Sequence, residues 1–365
     1  MAVFTEKQQL LQSQLAQVAR DADRIGRTVR IMEVCGTHTV AIQRSGLRQL
    51  LPKNIKLISG PGCPVCVTPT GYIDALITLA KRGDILIATY GDMVRVPGSS
   101  QSLAEARAEG ADARVVSSAF QAYELALANP GRNVVFAAVG FETTTPATAD
   151  ILLRAKKAEL TNLFALCAHK LVIPAMQALL AGPKCAVDGF LCPGHVSVML
   201  GYKAYEPIAA QFGRPCVVAG FEPRQIIDGI ARIVAQIADG TAKVDNVYKA
   251  AVGPDRHQKA WEMIERVFMT ADAEWRALGS IPQSGLVLND DYRQFDAARV
   301  FDIVIGDSIE PAGCRCGEVI QGLIDPAECA LFGKRCTPDD PVGPCMVSSE
   351  GACQAWFKYG HLEDR

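Results

Sequence analysis

Apolar residues follow two periods along most of this chain. Residues 6–24 are rich in Gln and Leu, with Leu10, Leu11, Leu15 and Val18 at helical spacing, which predicts an N-terminal helix. After it one pattern recurs: a short apolar run, a loop of Gly, Pro, Thr or Cys, then an amphipathic helix. The runs at 29–34, 55–59, 84–89, 134–139, 189–192 and 216–219 read as strands. The spacing predicts a helix after the 35–39 loop, to about Leu51. It predicts another with Thr68 as N-cap, Pro69 at its first position and Ile73, Leu76, Ile77 and Ala80 on one face. Thr145-Pro146 reads as an N-cap and first-turn pair, and Ile226, Ile227, Ile230 and Ile233 mark a long helix.

Strand–helix alternation implies parallel sheets covered by helices, so the expected class is α/β. The expected division is two parallel-sheet strand–helix domains, 1–130 and 131–250, followed by 251–365 as a helical linker and a small cysteine-rich domain. Residues 245–280 read as helical and linker-like, 285–288 as a short apolar piece. From about residue 312 the chain turns to Cys, Gly and Pro with little periodicity. Such a segment is expected to bury little apolar surface and to need a metal or cluster as a staple. The triplet Gly-Phe-Glu occurs at 140 and at 220, each time between a strand and a helix, which hints at similar units.

Composition narrows the function. Of 365 residues, 49% are hydrophobic and 21% charged, enough for a sizeable core. The net charge of -2 offers no basic excess, so a nucleic-acid partner is not expected. The charge-free run 57–73 contains Pro61, Pro64 and Pro69 and does not read as a membrane helix, and residues 1–9 lack a signal pattern; a cytoplasmic protein is expected. The 13 cysteines are then unusual, and six of them fall in residues 314–365. In a reducing compartment they point to metal or redox chemistry rather than a disulfide scaffold. No G-x-x-x-x-G-K-[ST] and no strand-linked G-x-G-x-x-G occurs.

The residues capable of chemistry lie just after strands and before helices: Cys35, His38, Cys63, Cys66, Asp92, Glu142, Thr143, Thr144 and His195. In open parallel sheets ligands gather at that edge. Cys35 precedes a helix start, whose field is expected to favour the thiolate, and His38 is placed to pair with it or share a metal. Cys63-Pro64-Val65-Cys66 suits a redox disulfide or half a metal site. Glu142, followed by three Thr, is placed to hold a cation or substrate or to shift protons. His195, after a Pro-Gly turn, is a candidate base, donor or ligand. Cys167, Cys185, Cys192 and Cys216 read as core. In the tail, Cys329, Cys336, Cys345 and Cys353 run C-x6-C-x8-C-x7-C. Four thiolates at such gaps suit a cubane cluster, and zinc and free thiols stay open beside it. The role of Cys314 and Cys316 is open.

Taken together, Cys35-Gly36-Thr37-His38-Thr39, Gly60-Pro61-Gly62-Cys63-Pro64-Val65-Cys66, Gly140-Phe141-Glu142-Thr143-Thr144, Pro193-Gly194-His195-Val196-Ser197 and the cysteine-rich tail resemble the HypD family of hydrogenase maturation proteins, in family order over nearly the whole chain. The resemblance implies two α/β domains and a [4Fe-4S] domain. It implies a complex with a HypC-type small chaperone, transient contact with a HypE-type cyanide donor, and delivery to the hydrogenase large subunit through the chaperone. On that scaffold the Fe(CN)2CO unit of [NiFe]-hydrogenase is assembled, so iron carrying cyanide and CO is implied. Cys35 matches the iron-holding cysteine, Cys63 and Cys66 the redox pair, and Cys329, Cys336, Cys345 and Cys353 the cluster ligands. Glu142 and His195 match motif residues near the assembly site. Two rivals stand beside this reading: an iron–sulfur thiol–disulfide reductase without an assembly role, and an α/β metabolic enzyme with a zinc-stapled tail.

Overall fold

A computed structural model describes residues 6–306 and 309–360; residues 1–5, part of the stretch read for an export signal, lie outside them. Two sheets organise the chain. The first has the order β2 (Ile55–Ser59), β1 (Val29–Glu33), β7 (Gly189–Pro193), β8 (Cys216–Ala219), β9 (Val244–Asn246), and every pairing is parallel. The second has the order β10 (Phe268–Trp275), β11 (Gly279–Leu288), β6 (Leu163–Lys170), β5 (Asn133–Gly140), β3 (Ile85–Thr89), β4 (Ala113–Val115). There β4, β3, β5 and β6 are parallel, and β11 runs antiparallel to both β6 and β10. β3 is buried at all five positions, as helices on both faces of a parallel sheet require.

The expected divisions at 130 and 250 do not follow the sheets. β3 and β4 share a sheet with β5 and β6 across residue 130, and β1 pairs with β7 from a distant part of the chain. After β2 the chain crosses to the second sheet through the helix Thr70–Ala80, then returns at β7. An apolar strand carries no label saying which sheet it joins. The two Gly-Phe-Glu triplets therefore end strands of different sheets, and only Glu142 is buried; Glu222 is the N-cap of the helix Pro223–Ala238.

Local corrections have local causes. Residues 245–280 are not a helical linker: only Gln258–Val267 is a helix there, and β10 follows it. β6, Leu-Phe-Ala-Leu-Cys-Ala-His-Lys, is an unforeseen strand with every residue but Cys167 buried, an apolar run whose period does not separate strand from helix. The helix after Cys35 stops at Ser45, because Gly46 takes φ 66, and resumes as Leu47–Leu50. The next helix begins at Thr70 with Pro69 as N-cap, while the Thr68 hydroxyl donates to Pro64 O (2.8 Å) at the end of the preceding turn. Thr144, not Thr145, is the N-cap of Thr145–Lys157.

The largest core joins both sheets and the tail. Met32 and Ile58 meet Ile87 and Val135 there, together with Val319, Ile320, Met346 and Val347. The tail thus buries apolar side chains of its own, against the expectation from its composition. Among the described residues no helix is long and apolar enough to cross a membrane.

Candidate functional site

The C-terminal ends of β1 and β2 build the first part of the site. Cys35 leaves β1 as the N-cap of the helix Gly36–Ser45. The Gly60–Cys63 loop lies directly on it: Gly36 N–H donates to Gly62 O (3.2 Å), and a Cβ on Gly62 would collide with the Cys35 backbone. Glycine is needed here for close approach. Cys63 is the N-cap of the short helix Pro64–Val67, and Cys63 and Cys66 are joined as a disulfide.

Burial, not the helix field, decides the state of Cys35. Desolvation pushes its thiol up to about 11, against backbone donors at His38 and Thr37 that favour the thiolate. The expected thiolate is therefore corrected to a thiol. His38 is wholly buried. Its Nε2–H donates to Gly220 O (2.9 Å), Nδ1 has no partner among the described residues, and burial lowers the ring to about 4, so it is neutral. Phe221 lies between the two histidines, 4.9 Å from the His38 ring and 4.1 Å from that of the exposed His195. The structure thus gathers Cys35, His38, His195 and the Cys63–Cys66 pair at the edge of the first sheet.

Glu142 belongs to the second sheet. Its Oε1 accepts from Val172 N–H (2.9 Å) and its Oε2 is buried without a partner among the described residues. Desolvation pushes the carboxyl up to about 7. Asp92, after β3, accepts from Ser348 Oγ (3.1 Å), Ser349 N (3.1 Å) and Ser349 Oγ (3.3 Å), which ties the tail to this sheet. Thr143 and Thr144 precede the helix and contribute an N-cap.

The tail closes over both edges. Thr37 Oγ1 donates to Glu350 Oε1 (2.8 Å), and a Cβ on Gly36 would strike the Glu350 backbone. Cys66 Sγ lies 4.0 Å from Pro344 O, the residue before Cys345. Within the tail the thiols of Cys314, Cys316, Cys345 and Cys353 lie close enough to shift one another's ionisation. A Cβ on Gly343 would meet the sulfurs of both Cys314 and Cys316. Cys336 lies beside them, its sulfur accepting from Val342 N (3.4 Å), within the electrostatic reach of Cys314 and Cys329. Cys314 is lowered to about 7, first by the Cys316 hydrogen bond and with help from the Arg276 charge. The two cysteines with no expected role therefore stand at the centre of the tail's thiols, and of the four expected ligands Cys345 and Cys353 join them most closely.

The soft thiol donors of Cys314, Cys316, Cys345 and Cys353, with Cys336 and Cys329 near them, fit an iron–sulfur cluster by donor chemistry. Among the described residues, no three His, Cys, Asp or Glu side chains are arranged around a single metal ion. Sequence reasoning missed Glu350 and Arg276, which no local pattern marks because each acts across a gap of many residues. Phe221 stands in the second Gly-Phe-Glu triplet, but the triplet alone gives it no role. Cys192 and Cys216 are buried as expected, while Cys167 and Cys185 are half-buried.

Comparison with known proteins gives a consistent picture. The family model HypD, described as "Hydrogenase formation hypA family", matches residues 9–360. The "Hydrogenase maturation factor HypD" of Azotobacter vinelandii is 45% identical over 352 residues, 94% of this chain and 93% of its own. That of Escherichia coli (strain K12) is 46% identical, covering 92% and 91%. That of Cupriavidus necator is 42% identical, covering 97% and 96%.

Proposed function

The chain belongs to the HypD family of hydrogenase maturation factors, and from that premise we propose that it is a scaffold on which, with a HypC-type small chaperone, the Fe(CN)2CO unit of [NiFe]-hydrogenase is assembled. Iron is its substrate, and Cys35 is the residue that receives it. The single observation behind this reading is contact: the loop of the Cys63–Cys66 pair lies on the Cys35 backbone, and the cysteine-rich tail lies against both, through Pro344 O at 4.0 Å from Cys66 Sγ and through Glu350 on Gly36 and Thr37. A thiolate is a soft ligand suited to low-spin iron. Because Cys35 is held as a thiol, iron must displace its proton, and the reaction is expected to release one proton per iron bound.

The proposed cluster ligands are Cys329, Cys336, Cys345 and Cys353, and a [4Fe-4S] cluster held there would supply single electrons. Cys314 and Cys316 are positioned to replace a ligand. Cys63 and Cys66 alternate between disulfide and dithiol: two electrons and two protons enter as the S–S bond breaks. His38, held neutral and bonded to Gly220, fixes the helix that bears Cys35. His195, exposed over Phe221, faces the side from which a partner would approach. Glu142 keeps a proton near neutral pH and positions Val172. A HypE-type donor would bring cyanide transiently, and the chaperone would carry the product to the hydrogenase large subunit.

The test is infrared spectroscopy and iron counting on the protein co-purified without oxygen with its small partner. Cyanide and CO bands on bound iron are expected. Iron and acid-labile sulfide without those bands would favour the thiol–disulfide reductase reading, which the observed disulfide beside the tail also suits. Zinc in place of iron would favour the metabolic enzyme.

A further inference from the structure

His195 follows the Pro193-Gly194 turn at the end of β7 and is exposed. Burial therefore does not hold its side chain in place; an aromatic ring does. The Phe221 ring centroid lies 4.1 Å from that of His195, with 33° between the two planes. Rings stacked in this way attract one another face to offset face. Gly194 permits the approach. A Cβ there would stand 3.1 and 3.2 Å from Phe221 Cζ and Cε2, and 2.7 Å from Ala219 O.

Phe221 lies between β8 and the helix Pro223–Ala238 and is itself held by other groups. The same ring meets His38 at 4.9 Å, on the helix that Cys35 caps. Tyr248 meets it edge-on, at 6.3 Å and 76°. His38 Nε2–H donates to Gly220 O (2.9 Å), so the backbone just before Phe221 is tied to the same helix. An unbroken line of contacts thus joins the Cys35 helix, through His38 and Phe221, to His195. Stacking occupies the face of an imidazole, while its two nitrogens lie on the rim. A side chain already stopped in one orientation costs a complex less entropy than one that must be stopped on binding.

We propose that Phe221 is a positioning residue for His195: its ring face holds the exposed imidazole in one orientation, at a set place relative to the helix that Cys35 caps, and leaves the nitrogen rim for the complex that assembles there. The inference deepens the assembly reading above and rests on it. The alternative is that Phe221 merely packs, filling the space between His38 and Tyr248. Leucine would satisfy that packing but presents no planar face. Tyrosine keeps the face. The two substitutions therefore separate a positioning ring from a filler.

The experiment compares Phe221→Leu, Phe221→Tyr and His195→Ala in the full-length protein, co-purified without oxygen with its small partner. Cyanide and CO band intensity is measured per chain. The ring resonances of His195 are followed by NMR on the free protein labelled at histidine; the chain has five histidines, and His195→Ala identifies this one by its loss. In Phe221→Leu the His195 resonances should move to those of a freely turning histidine, and the bands should fall about fivefold, the cost of freeing one side chain. Phe221→Tyr should keep both, and His195→Ala should lose the bands at least as far as Phe221→Leu. Native bands in Phe221→Leu or in His195→Ala overturn the proposal, as do unmoved His195 resonances or an equal loss in Phe221→Tyr. If Phe221→Leu does not fold, the wild-type resonances and His195→Ala decide: a stacked ring with lost bands supports the proposal, and a freely turning ring or native bands overturns it. A wild-type complex without bands overturns both this inference and the assembly reading; native bands in wild type and in Phe221→Leu overturn this inference alone.

Discussion

Cys35 feels two opposed influences, and their sizes differ. The start of the helix Gly36–Ser45 offers backbone donors, while burial to 7% exposure removes water from any charge. Burial prevails, and the thiol stands at about 11. Cys35→Ala should therefore cost little stability, on the order of 1 kcal/mol for a small buried side chain. It should leave iron and sulfide in the tail but abolish the cyanide and CO bands of the co-expressed complex. Native bands in a folded variant would move the iron site to Cys63 and Cys66. Glu142 allows a prediction with a definite sign. Its carboxyl titrates at about 7 in the fold and near 4.5 when unfolded, so between those values the folded state binds more protons. Its contribution is complete below pH 4.5 and lost as pH rises through 7. Glu142→Gln should flatten that decline, worth up to about 3 kcal/mol, in urea melts taken from pH 4.5 to 7.5. An equal slope in both proteins would show that the carboxyl is already ionised.

At the scale of elements, glycines and the tail carry the site. Gly62→Ala would push a methyl group into the Cys35 backbone, and overpacking of this kind costs about 1–3 kcal/mol. It should also speed alkylation of Cys35, measured by mass spectrometry; an unchanged rate would mean that the loop moves without disturbing β1. Asp92→Ala removes an acceptor of three hydrogen bonds from Ser348 and Ser349. A loss of about 1.5–3 kcal/mol is expected, read as faster amide exchange in residues 348–360 with β3 unaffected. The strands at 29–34, 55–59, 84–89, 134–139, 189–192 and 216–219 were legible because apolar runs between glycine-rich loops have few other uses. β6 and β10 were not. The first is an apolar run up to His169 and shows no period of two; the second does alternate from Thr270 to Trp275, but with small alanines on its covered face the alternation carries little apolar contrast. The strand-end loops bearing Cys35, Cys63 and Glu142 were legible for the same reason as the strands. The grouping of Cys314 and Cys316 with Cys345 was not, since it depends on Gly343 letting distant backbone pass close to both sulfurs.

At the scale of the molecule, the largest core decides how the parts behave. It contains Met32 and Ile58 from one sheet, Ile87 and Val135 from the other, and Met346 and Val347 from the tail. Units that share a core unfold together. A single calorimetric transition is expected, its calorimetric enthalpy equal to the van't Hoff value; separate transitions for 1–130, 131–250 and 251–365 would restore the linear division. The order of strands in the first sheet also sets a timetable for biosynthesis. β1 pairs with β2 at once, but its other edge waits for β7, about 130 residues further on. At a ribosome's pace of about 5–20 residues per second, that wait lasts on the order of ten seconds. For that interval the nascent chain carries Cys35 beside an open strand edge with its histidine unsupported, since Gly220, which anchors His38, has yet to emerge. The cysteine proposed to receive iron is thus translated early but completed late, and newly made chains that meet iron or oxidant in between would depend on chaperones to keep that edge covered.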